Sequence, residues 1–149
     1  MVYNSDRRST LRYTFLDHTA DAEFRAFGAD LAEALANAAL AVASLMWDWD
    51  KVMRNVSRAV DVRGRDLPQL VSRYLEEVVF LFESEGFLLA GVDGLHVIKE
   101  DHAYRLQAVF WGDKLSARYP LHGAVKAVTY NDMKIEEGDR AMVQVVVDV

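Results

Sequence analysis

The sequence predicts an α+β fold in which two helices pack against a mostly antiparallel sheet or sheets. Two segments repeat apolar residues at helical spacing, and after Gly86 the pattern changes to the alternation of strands. A helix with one wide apolar stripe must bury it, and a sheet supplies the matching apolar face. The strand-helix-strand pattern occurs twice, which indicates a duplicated unit.

Both helices have recognisable ends. Residues 30–33 (Asp-Leu-Ala-Glu) form a capping box, and the apolar stripe behind them extends to about Trp47. Residues 66–69 (Asp-Leu-Pro-Gln) repeat the box for the second helix, with proline tolerated in the first turn. Gly86 is a suitable left-handed stop for that helix.

Strands are predicted where apolar and polar residues alternate. They cover residues 11–16, 22–27, 55–62, 87–92, 95–99, 104–110, 124–134 and 140–147. The breaks at Asp93-Gly94 and at 136–139 are typical of hairpin turns. Residues 1–10 are polar and predict a flexible N-terminal segment, which leaves 11–149 as a single domain.

Composition excludes several functional classes. The 149 residues include 17 Lys and Arg against 23 Asp and Glu, a net charge of −6 that argues against a nucleic-acid surface or an electrostatic membrane anchor. Without cysteine, disulfides, thiolate zinc sites and thiol catalysis are excluded. The longest uninterrupted apolar run, at 38–43, is far shorter than the roughly 18 residues of a membrane span. We therefore expect a soluble, cytoplasmic protein without a membrane partner.

The first candidate site is the turn at 17–21, Asp-His-Thr-Ala-Asp. Asp17 and Asp21 lie between two predicted strands and can face a common point, where carboxylates would supply the oxygen ligands that Ca²⁺ or Mg²⁺ prefers. Alternatively, both are ordinary turn residues that accept hydrogen bonds from nearby backbone N–H groups.

The second candidate site is the C-terminus, Val-Val-Val-Asp-Val at 145–149. Asp148 and the terminal carboxylate of Val149 place two negative groups together, and a terminal strand within a sheet would hold both in place. If this end reached Asp21, three carboxyl groups would meet, and a cation would relieve their repulsion. The alternative is a solvated chain end.

The third segment, 125–132, reads Val-Lys-Ala-Val-Thr-Tyr-Asn-Asp. On a strand, Lys126, Val128 and Tyr130 would share one face. The lysine either protects an edge strand from aggregation or offers its ammonium group to a phosphate or carboxylate.

Together these segments resemble the archease family, small activators of the tRNA-splicing RNA ligase. The resemblance extends from about Tyr13 and rests mainly on His-Thr-Ala-Asp at 18–21, Val-Lys-Ala-Val-Thr-Tyr at 125–130 and the Val-Asp-Val terminus. Gly28 with the alanine-rich helix behind it, and Leu-Glu-Glu at 75–77, add to the match. The resemblance implies an α+β fold built from two strand-helix-strand-strand units.

The resemblance also implies a metal site formed by Asp21, Asp148 and Val149. Asp17, His18 and Lys126 are carried over as possible additional functional residues. All-oxygen ligation favours a divalent cation, and the larger, looser shell of Ca²⁺ accommodates a chain terminus better than that of Mg²⁺.

The implied activity is that of a protein cofactor, not of an enzyme. The chain would help the ligase to take up guanylate from GTP and to sustain multiple turnovers in joining RNA halves, and would meet RNA and GTP only through the ligase. One position departs from the family pattern, because Asn131 stands where a histidine usually follows the Thr-Tyr pair. Asn131 cannot ionise, although it can donate and accept hydrogen bonds.

Two other functions are consistent with the same residues. A metal-dependent enzyme acting on a small phosphorylated substrate would use Asp17 or Asp21 as a base and Lys126 to bind the phosphate. A chaperone-like interaction module would use its cation for stability alone.

Overall fold

The computed structural model describes residues 11–17 and 21–149. In those ranges the helices are α1 (Leu31–Ser44) and α2 (Leu67–Glu85), with a short 3-10 turn at Trp49–Lys51. The strands are β1 (Tyr13–Leu16), β2 (Ala22–Gly28), β3 (Val56–Gly64), β4 (Phe87–Glu100), β5 (Ala103–Lys114), β6 (Ala127–Glu136) and β7 (Ala141–Asp148). The predicted flexible segment, 1–10, lies outside the described residues.

Two antiparallel sheets confirm the predicted fold class. The first sheet has the strand order β1-β2-β7-β6, and the second has the order β3-β5-β4. β3, α2, β4 and β5 form one strand-helix-strand-strand unit, in which the first strand pairs with the last. β2, α1, β6 and β7 form an equivalent unit with the same pairing. In the sequence, the unit of β3, α2, β4 and β5 is therefore inserted between α1 and β6 of the other unit.

The capping boxes predicted for both helices are present. The Asp30 side chain accepts a hydrogen bond from the Glu33 backbone N–H at 2.9 Å, and the Glu33 carboxylate accepts one from the Ala29 N–H at 2.8 Å. The box at 66–69 has the same geometry. Gly86 ends α2 with a φ of 68°, which is the left-handed conformation that the sequence predicts.

α1 ends at Ser44, earlier than the stripe predicts. Trp47 is buried beyond the helix and donates from its indole Nε1 to the Leu89 carbonyl at 2.9 Å. The Trp47 backbone N–H still donates to the Ala43 carbonyl at 2.9 Å, and the buried indole continues the apolar pattern past the end of the helix.

The two units share one core. α1 packs on β2, β7 and β4, whereas α2 packs on the three-stranded sheet and on β6. Tyr74 of α2 is fully buried and donates from its hydroxyl to the Leu35 carbonyl of α1 at 2.9 Å. Neither helix of the described ranges is long and apolar enough to cross a membrane.

The hairpin predicted at Asp93-Gly94 is wrong. β4 continues through these residues as one strand, with a register shift between Asp93 and His96 and a φ of 61° at Gly94. β5 pairs with β4 on both sides of this irregularity, so the glycine forms a bulge within the strand instead of reversing the chain.

Candidate functional site

The C-terminal strand lies directly beside the strand that follows the first turn. β2 pairs antiparallel with β7, and the register places Ala22 opposite Val147. Val147 and Val145 are fully buried, so apolar packing anchors the terminal strand. One position beyond the Ala22–Val147 pair, Asp21 and Asp148 occupy the same end of the sheet. The structure thus brings together two acids that are distant in the sequence.

The other neighbour of the terminal strand holds the same end in place. On β6, Ala127 pairs with Asp148, and the Lys126 backbone N–H donates to the Asp148 carbonyl at 2.7 Å. Lys126 is exposed, and Val149 is 42% exposed. The end of β7 is consequently held between β2 and β6 at this end of the sheet, and Val149 beyond it is partly exposed.

Asp17 lies at this end too. β1 pairs antiparallel with β2, so the residue that follows β1 falls near the start of β2, and Asp17 is exposed there. His18, also predicted as a possible functional residue, lies outside the described residues. The structure therefore collects Asp17, Asp21, Asp148, Val149 and Lys126 at one end of the four-stranded sheet.

The chemistry of this donor set fits a hard divalent cation. Asp21, Asp148 and the terminal carboxylate of Val149 offer only oxygen ligands, as Ca²⁺ and Mg²⁺ require. In the ranges that the structure describes, no three His, Asp or Glu side chains converge into a metal cage. The predicted set needs only two side chains, since its third ligand is the chain terminus, and it leaves further positions for water.

The predicted common face of Lys126, Val128 and Tyr130 is wrong. Val128 is 8% exposed and packs in the core, whereas Tyr130 is 54% exposed. The pairing of β6 with β7 jumps between Thr129 and Lys134, so the strand bulges outward after Thr129. Lys126 itself precedes β6, whose first residue is Ala127.

A buried glutamine holds this bulge in position. Gln144 of β7 is 3% exposed, and its Nε2 donates to the Asp132 carbonyl at 2.8 Å. Arg25 of β2 donates from Nε to the Gln144 Oε1 at 2.8 Å. Asp132 has a φ of 51°, a left-handed conformation that the hydrogen bond helps to maintain. Asn131, exposed within the bulge, lies on the same edge strand as Tyr130.

Glu23 was not predicted as a functional residue. This residue is only 9% exposed, and its Oε2 is buried without a hydrogen-bond partner. The alternation of β2 contains the signal, because Phe24 and Ala26 are fully buried on the core face and Glu23 must lie on the other face.

A separate groove of about 700 Å³ lies beside the first turns of α1 and α2. Its lining includes Leu31, Leu67, His96, Lys99 and Tyr104. No predicted site residue lines this groove, so the groove is not part of the site at the end of the sheet.

Comparison with known proteins identifies the family. The model of the archease protein family (MTH1598/TM1083) matches residues 13–149. The chain belongs to the archease family. Protein archease from Pyrobaculum neutrophilum is 38% identical over 142 residues, which are 92% of this chain and 95% of that one. Protein archease from Sulfurisphaera tokodaii is 35% identical over 140 residues, 93% of this chain and 99% of that one.

A solved structure agrees with this assignment. The solution structure of Methanobacterium thermoautotrophicum protein 1598 is similar, with a TM-score of 0.78 and 29% identity, and the match covers 93% of this chain and 99% of that one. The predicted family and the predicted α+β fold are both confirmed.

Proposed function

We propose that this protein activates a tRNA-splicing RNA ligase by promoting its guanylylation and multiple turnover, and that it does not itself join RNA. The observation that carries the proposal is the common placement of Asp21, Asp148, Val149 and Lys126 at one end of the four-stranded sheet. Membership of the archease family supports the ligase as the partner.

In this proposal the carboxylates of Asp21 and Asp148 and the chain terminus hold a divalent cation. The site prefers Ca²⁺ to Mg²⁺. When bound, such a cation supplies positive charge that polarises phosphoryl oxygens or fixes an acidic group of a partner. The exposed ammonium group of Lys126 adds a second positive centre for the same purpose.

The surroundings of this sheet end suit contact with another protein. β6 is an edge strand on which Tyr130 is 54% exposed, and Val149, which follows the neighbouring β7, is 42% exposed. Exposed aromatic residues are common anchors at interfaces. The net charge of −6 gives no general attraction for RNA, so RNA and GTP are left to the ligase.

A guanylylation assay of the matching ligase tests the proposal. Labelled GTP is incubated with the ligase alone, with wild-type protein, and with Asp21→Ala. The matched control is Asp101→Ala, which removes an exposed acid from the turn between β4 and β5 of the other sheet. We expect stimulation by the wild type and the control, and none by Asp21→Ala with an intact fold. Full stimulation by Asp21→Ala would reject a role of the cation site in activating the ligase.

Two further measurements, turnover without the ligase and thermal melting with chelator, separate the alternatives. Turnover of a small phosphorylated substrate by this protein alone would favour an enzyme. Full stimulation by a folded Asp21→Ala variant, combined with a lower melting temperature on chelation, would favour a cation with a purely structural role.

A further inference from the structure

Glu23 is a buried acidic residue with a carboxylate oxygen that is unsatisfied within the described ranges. The residue is 9% exposed, and in the described part of the chain its Oε2 is buried with no hydrogen-bond donor. A carboxylate is buried in proteins when it is paired, fully hydrogen-bonded or coordinated to a metal. The side chain therefore lacks the partner that its burial requires.

The position of Glu23 points to that partner. Glu23 pairs with Leu16 on one side and with Val146 on the other, on the face of β2 opposite the buried Phe24. This row is adjacent to the end of the sheet where Asp21 precedes β2 and Asp148 completes β7. Alternate residues of a strand share a face, so Val146 and Asp148 lie on the same side of the sheet as Glu23.

The neighbouring positive group is already engaged. Arg25, two residues along the same face, donates from Nε to Gln144 at 2.8 Å, and Gln144 in turn donates to the bulge of β6. Arg25 thus stabilises the part of the sheet face around Gln144, and the Glu23 Oε2 has no hydrogen-bond partner among the described residues.

We propose that Glu23 belongs to the cation site of Asp21 and Asp148, as a carboxylate of its outer shell. The inference rests on the proposed function and extends it by one residue. Glu23 acts as a positioning residue: its charge attracts the ion, and its free Oε2 accepts a hydrogen bond from water bound to the ion. Direct coordination is not proposed, because no three acidic or histidine side chains converge in the described ranges.

A small ion fits this place better than a basic side chain of a partner. Nine-tenths of Glu23 is already covered, so a lysine or arginine from another protein would have to displace the sheet face to reach it. An ion at the sheet end, with its water, needs no such displacement.

Calcium titration calorimetry on the full chain tests the proposal. Glu23→Gln keeps the shape and removes the charge, and Glu136→Gln makes the same change at an exposed position at the far end of the same sheet. We expect Glu23→Gln to lower the calcium affinity about 10- to 100-fold, the range found for outer-shell partners. We expect Glu136→Gln to bind within about twofold of the wild type, since a distant exposed charge is screened.

Thermal melts supply a second readout. In excess chelator, Glu23→Gln should melt at a higher temperature than the wild type, because it removes a buried charge that has no partner. With calcium added, its melting temperature should rise less than that of the wild type. A structural role for Glu23 predicts the opposite order in chelator.

The outcomes are distinguishable. If the wild type does not bind calcium, the proposed cation site fails and this inference fails with it. If the wild type binds and Glu23→Gln binds equally well, only this inference is overturned, and impaired ligase stimulation in that variant would assign Glu23 to the partner instead. Should Glu23→Gln not fold, Glu23→Asp keeps the charge and must retain at least a tenth of the calcium affinity; a larger loss overturns the proposal.

Discussion

Tyr74→Phe should weaken the contact between the two helices without opening a cavity. The side chain is fully buried, its hydroxyl donates to the Leu35 carbonyl at 2.9 Å, and its ring meets Phe110 edge to face at 5.7 Å between centroids. The substitution keeps the ring contact and deletes one buried hydrogen bond. Leu35 keeps its helical hydrogen bond, so the expected loss is about 1 kcal/mol of unfolding free energy. For a chain of this length, that loss lowers Tm by about 2–4 °C.

Thermal and urea unfolding, followed by circular dichroism at neutral pH, measure this difference. Tyr130→Phe is the matched control, because Tyr130 is 54% exposed and its substitution should leave the stability unchanged. A Tyr74→Phe protein as stable as the wild type would refute the assigned energy. A Tm loss of more than about 10 °C would show that the ring has moved and that more than a hydrogen bond was lost.

Three further predictions concern local structure. Asp66→Ala removes the cap that accepts from the Gln69 N–H at 2.9 Å and should cost about 1 kcal/mol in urea unfolding, whereas Asp66→Asn should cost far less. The hydrogen bond from Arg105 lowers the pKa of Asp61 from 3.8 to about 2. The wild type should therefore have a larger free energy of unfolding than Asp61→Asn above pH 3.8, and this difference should vanish as the pH falls through about 2. Gly64→Ala would place a Cβ 2.5 Å from a backbone nitrogen of α2, so it should lower stability by about 1–3 kcal/mol in the same assay.

The helices could be predicted because their signals are local. A capping box occupies four consecutive residues, and both boxes at 30–33 and 66–69 form as the sequence indicates. The same locality explains the error at Asp93-Gly94. This pair is typical of a turn, yet the pairing of β4 with β5 keeps the chain extended through it. Pairing between strands is a tertiary property that a dipeptide does not report.

The insertion of one unit into the other was not predicted for the same reason. Ala22 pairs with Val147, at the opposite end of the chain, and no local pattern specifies that partner. The resemblance to the archease family predicted a meeting of Asp21 with Asp148, and the strand register places both at one end of the sheet. Metal binding by these residues stays a prediction.

Glu23 shows what periodicity leaves out. The alternation of β2 assigns Glu23 to the outer face, where an acidic residue is expected to be exposed to solvent. The structure shows instead that the position is covered and that one carboxylate oxygen has no donor. Burial of an outer face depends on neighbouring segments, which the pattern of a single strand does not contain.

The most direct test of the proposed site is a crystal structure of the full chain grown with calcium. The prediction is one calcium ion coordinated by Asp21, Asp148 and the terminal carboxylate of Val149. An ordered sheet end at saturating calcium, with no ion between Asp21 and Asp148, would contradict it.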